Sequence, residues 1–188
     1  MATIHDVAAA ILVATGEVST MKLQKLCYFA TGWHLAMHDR PLFPEEFQAW
    51  ADGPVSPDLY RHHRGQFSVG SWPEGRPERL SAEERATVDS TVIAFGDFSA
   101  EQLSFSTHMQ KSWIEARADT PPGARSTAII STEAIAQFFA PRRDMLRLRL
   151  AVATPLTAEQ ERRVALAEAD GYADAIAVQE VKRALAAL

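Results

Sequence analysis

The chain has 188 residues, 47% hydrophobic and 23% charged, with a net charge of −5. These proportions fit a globular domain of ordinary size that requires no metal or disulfide staple; they exclude a wholly disordered chain, and the net charge argues against a generic nucleic-acid coat while leaving room for a local basic patch. A single cysteine, Cys27, excludes a disulfide scaffold and a multi-cysteine zinc site. No apolar run approaches the ~18 residues of a membrane span. His5 and Asp6 interrupt any signal-like opening, so a cytoplasmic location is expected.

Ile4, Val7, Ala8, Ile11 and Leu12 recur at one helical face, with Thr3 and Asp6 as a cap and Gly16 as a stop. Ser19 or Thr20 caps a second helix. Leu23, Leu26, Cys27, Ala30, Trp33, His34 and Met37 give it a core-facing stripe that ends at Arg40-Pro41. Gly32 within it predicts close approach of another backbone. Residues 47–50 alternate as a short extended segment. Gly53-Pro54-Val55 predicts a rigid turn, and Ser56-Pro57-Asp58 the start of a helix running to about Gly65.

Residues 66–79, around Trp72, read as a surface loop. Capping boxes at Ser81–Glu84, Ser99–Gln102 and Thr107–Gln110 open three further helices, the last around Trp113. Residues 128–130 read as a second extended piece, and Ser131 or Thr132 caps a helix ending at Phe139. Composition then shifts. Residues 1–140 hold 11 basic and 17 acidic side chains, whereas 141–188 hold 8 and 7 and no Trp or Phe. The expected organisation is a mainly α domain over 1–140, with two short extended segments, and a helical extension over 141–188 jointed near Thr154-Pro155.

Few residues suggest chemistry. His34 and His38 lie one helical turn apart and could share a metal, but no third ligand is fixed nearby. Cys27 and His34 are about 10 Å apart along the axis, too far for a proton-transferring pair. Arg61, His62, His63 and Arg64 form a cationic turn that suits an acidic partner or phosphate, or a solvated helix face. There is no phosphate-binding glycine loop, nucleophile elbow or metalloprotease motif. The expectation is a protein that is not an enzyme and holds no metal or cofactor. Trp50, Asp52, Gly53, Pro54, Val55 and Tyr60 combine aromatic side chains with a rigid turn, which suits either core packing or a preorganised face for a partner.

A family resemblance sits on these same residues. KLQKLCYFA at 22–30 and GWHLA at 32–36 resemble the opening of the Panacea domain. RPLF at 40–43, FQAW at 47–50, GPV at 53–55 and PDLY at 57–60 resemble its second block, although Ala51-Asp52 stands where many relatives have an aromatic residue or proline. THMQKSWIEAR at 107–117 resembles the third block, and ISTEAI at 130–135 with Phe138-Phe139 the close. The resemblance implies a helical antitoxin that binds and neutralises a cognate toxin. Within the family it is nearest the SocA-like proteolytic adaptors, which hand their toxin to the ClpXP protease. Trp50, Asp52, Gly53, Pro54, Val55 and Tyr60 are then the candidate toxin-binding residues. The last residues, with Arg183, Leu185 and Leu188, resemble tags that ClpX recognises and are the candidate protease-facing segment. The alternative is a DNA-binding autorepressor, in which residues 4–38 form helix, turn and helix and Lys22 and Lys25 face phosphate.

Overall fold

The long apolar stripe beginning at Leu23 folds as the central helix of a computed structural model, which describes residues 2–153. This helix, α2 (Thr20–His38), follows α1 (Ile4–Thr15) and β1 (Val18–Ser19). After it come β2 (Phe47–Trp50), β3 (Gly53–Val55), α3 (Pro57–His63) and β4 (Ser68–Val69). A 3₁₀ turn (Pro77–Arg79) precedes α4 (Ala82–Phe95), α5 (Ala100–His108) and α6 (Lys111–Arg117). The rest is β5 (Ile129–Ile130), α7 (Thr132–Phe139), a 3₁₀ turn (Ala140–Arg142) and α8 (Arg143–Ala153). The architecture is mainly α, as expected. The chain divides into a unit Met1–Asp144 and a second beginning at Met145. Thr154-Pro155, Arg183, Leu185 and Leu188 lie outside the described residues.

Side chains set the helix ends. Thr3 accepts from the Asp6 amide while the Asp6 carboxylate accepts from the Thr3 amide, closing a capping box at α1. Ser19 caps α2, and Ser81 and Ser99 close the boxes at α4 and α5. The box expected at Thr107 is absent. Thr107 is buried in the last turn of α5 and donates to the Ser104 carbonyl, so α6 starts from Gln110 without a side-chain cap.

α2 is buried all round from Leu23 to Ala36, not along one stripe alone, because α1, α4, α5, α7 and β3 enclose it. Trp33 is 2% exposed, stacks on Phe95 and meets Phe139 edge-on with ring centres 4.8 Å apart. Gly32 is needed for a side chain, not for a backbone: a Cβ there would fall 2.3 Å from the Phe139 ring. Two small antiparallel sheets complete the fold. β1 pairs with β4, and β2 lies between β3 and β5. The segment 66–79 is more built than a surface loop. It carries β4, and Trp72 is buried with its indole N–H donating to His5 Nδ1 at 3.0 Å.

Candidate partner-binding cleft

β2 and β3 form a hairpin whose turn is Ala51-Asp52, with Trp50 opposite Gly53 and Gln48 opposite Val55. Residues 53–55 are therefore a paired strand and not the turn itself. Side chains from elsewhere in the chain hold the hairpin by its backbone. Gln24 on α2 accepts from the Ser56 amide at 2.9 Å and donates to the Ser56 carbonyl at 3.2 Å, as a neighbouring strand would. Lys25, 1% exposed, donates to the Pro54 carbonyl at 3.1 Å. Gly53 takes a φ of +100°, and a Cβ there would lie 2.5 Å from the Thr107 hydroxyl and 2.7 Å from the Lys25 ammonium. Burial pulls the Lys25 ammonium down to about 7, against the attraction of Asp52.

The other side of the hairpin is tied to α6. The Trp113 indole donates to the Trp50 carbonyl at 3.0 Å. Arg117 is buried beside the Trp113 ring and donates to the carbonyls of Ala49, Pro121 and Ala124 at 2.8–3.1 Å. That brings the 121–127 loop alongside the hairpin. The Tyr28 hydroxyl joins α2 to α6 through Gln110 and Ser112.

These ties frame a cleft of about 670 Å³. Its wall takes Met21, Gln24 and Lys25 from α2, Trp50, Asp52 and Val55 from the hairpin, Tyr60, His63 and Arg64 from α3 and its end, and Gly123 and Arg125 from the loop. Trp50 and Tyr60 meet edge-on with ring centres 4.7 Å apart. Of the six residues expected to bind a partner, Trp50, Asp52, Val55 and Tyr60 share this cleft, whereas Gly53 and Pro54 are buried behind it. His63 and Arg64 of the cationic turn also line it, as do Lys25, Arg125 and Met21, which were not expected at a partner-binding surface. A lysine set inside an apolar helical run, followed by a Gly-Pro pair, is the one signal that pointed to Lys25.

Other expectations change. Lys25 is buried, with its ammonium on the Pro54 carbonyl beside the cleft, and Lys22 donates to the Gly96 carbonyl, so the two do not form a lysine pair on a solvent-facing side of α2, as the phosphate-facing reading requires. His34 is fully buried, and His38 pairs with Glu83 at 2.6 Å. The Thr87 hydroxyl donates its one proton to the Glu83 carbonyl, so His34 Nδ1 must donate to Thr87 and Nε2 carries the lone pair. Burial and the neighbouring His38 pull His34 down to about 4. Among the described residues no group of three His, Cys, Asp or Glu side chains is placed to hold a metal. Nor is any described helix long and apolar enough to cross a membrane. In the cationic turn, His63 is buried against Gln24 while Arg61, His62 and Arg64 are exposed.

Residues 23–114 match the family described as Antitoxin SocA-like, Panacea domain. A 44-residue stretch is 50% identical to Antitoxin SocA of Caulobacter vibrioides (strain NA1000 / CB15N). That stretch spans 23% of each of the two chains, well under two thirds of the relative. No solved structure matches the chain.

Proposed function

We propose, from the match of residues 23–114 to the SocA-like Panacea family, that this chain is the antitoxin of a toxin–antitoxin pair, neutralising its toxin by direct binding. The observation that carries the reading is the convergence of the family's sequence blocks on one cleft. Gln24, Lys25, Trp113 and Arg117 hold the hairpin by its backbone, and the aromatic side chains Trp50 and Tyr60 remain on the cleft wall. Rigid aromatic side chains beside a recess are the usual anchors of a protein interface.

The sharper form is an adaptor acting in the cytoplasm: the domain over 1–140 holds the toxin, and the 141–188 extension presents it to ClpXP. Joining both partners on one chain raises the toxin's concentration at the protease. Expression of the adjacent reading frame should arrest growth of a bacterial host, and co-expression of this chain should restore it. The two proteins should co-elute. With purified ClpXP, the toxin should be degraded when the full chain is present and spared when the chain stops at Pro141. Arrest that this chain does not relieve contradicts the antitoxin reading. Relief without degradation removes the adaptor and leaves a simple blocker.

A further inference from the structure

We propose that the cleft seats an acidic segment of the toxin, with a carboxylate received among Lys25, Arg64 and Arg125 and an adjacent apolar side chain laid against Trp50 and Tyr60. This rests on the antitoxin reading above and names what that reading leaves open, the chemistry of the bound segment. Three cations line the cleft against one carboxylate, Asp52. That is the reverse of the surrounding domain, where acidic side chains outnumber basic ones by 17 to 11 over residues 1–140.

The cations are available. Among the described residues, Arg64 and Arg125 have no hydrogen-bond or ion-pair partner, and the Lys25 ammonium donates to the Pro54 carbonyl alone. Lys25 has already lost its water on folding, so a carboxylate that reaches it meets no further desolvation of that group, holds it in its protonated form and makes a charge-assisted bond. The guanidinium groups can fork onto further carboxylate oxygens at the mouth. The apolar part of the wall, with Met21, Trp50, Val55 and Tyr60, supplies the contact that a nucleic-acid backbone lacks. Net negative charge over the domain opposes a long polyphosphate strand more than a short acidic peptide, whose few charges meet only the local cationic lining.

The test uses the intact chain and a phage-displayed library of random twelve-residue peptides. Panning should enrich Asp or Glu next to an aromatic or aliphatic residue. Synthetic copies of the enriched peptides, read by fluorescence anisotropy, should bind about ten-fold more weakly to K25M and to R64E/R125E, a loss of about 1.4 kcal/mol. Methionine matches the length of lysine without a charge to desolvate. Both variants should keep their far-UV circular dichroism, and panning on R64E/R125E should enrich Lys and Arg in place of the acids. Three results overturn the proposal: a library that yields no binder, peptides without acidic enrichment, or tighter binding of a single-stranded oligonucleotide. If wild type relieves toxin arrest and both variants relieve it equally, the site falls and the antitoxin reading stands. If the peptides bind as expected and no toxin is relieved, the antitoxin reading falls and the acidic-peptide cleft stands.

Discussion

Lys25 is the residue on which sequence and structure diverge most. It sits two places after Leu23, where a one-sided helix puts it in solvent. Instead it is buried, because a carbonyl 29 residues onward comes to meet it. No local pattern encodes that pairing. Its ammonium holds a proton with a value of about 7 in the fold, against 10.5 ordinarily. The unfolded chain therefore binds the proton more tightly between those values, and stability from this group rises with pH across that window. Asp52 opposes the shift, and His108, itself pulled down by burial and by Lys25, faces the same ammonium. Relative to Lys25→Met, the wild type should gain a few kcal/mol between about pH 7 and pH 10, since each unit is worth about 1.4 kcal/mol. Urea melts of both chains at the two pH values measure this, and a pH-independent difference would leave Lys25 with an ordinary proton affinity. Gly32 gives a second test at this scale. Gly32→Ala drives a methyl into the Phe139 ring and should cost about 1–3 kcal/mol, although alanine is the better helix former. An unchanged or raised midpoint would mean that the ring yields freely.

At the scale of elements, what was legible is what local chemistry controls. The apolar spacing, the Thr3, Ser81 and Ser99 boxes and the proline at the start of α3 all announce themselves within a few residues. What was not legible depends on distant partners. Thr107 has the form of a cap but lies inside a helix, because its hydroxyl finds the Ser104 carbonyl and Gly53 packs against it. Trp72 lies in a Gly- and Pro-rich stretch yet is buried, because His5 accepts its indole proton. Four of the six candidate residues belong to the cleft, since Trp50 and Tyr60 announce themselves as aromatic side chains near a turn. The burial of Gly53 and Pro54 follows from strand pairing that spacing does not encode. Arg117 carries the largest burden of this kind, joining β2 to the 121–124 loop through three carbonyls. Arg117→Lys keeps the charge but loses the fork, and should destabilise the fold by about 3 kcal/mol. Amide hydrogen exchange should also rise across 121–128. Exchange there at the wild-type rate would show that the loop is held by other means.

At the scale of the whole molecule, the blocks that resemble the Panacea domain serve as ties more than as contact surface: Gln24, Trp113 and Arg117 bond backbone carbonyls and Tyr28 bonds Gln110 and Ser112. The surface left for a partner is the cleft between the hairpin, α3 and the loop that Arg117 holds. That division gives a frame tied through its backbone with a cleft beside it, which suits the proposed binding of another protein. The most direct measurement is the affinity of the proposed toxin partner, made from the adjacent reading frame, for wild type and for the Trp50→Ala/Tyr60→Ala variant, by titration calorimetry, with the melting temperature of each recorded. Loss of affinity by about 2 kcal/mol or more, in a variant that still melts cooperatively, is the expected result. Equal affinity of the two chains for the toxin would contradict the account and move the interface to another face of the domain.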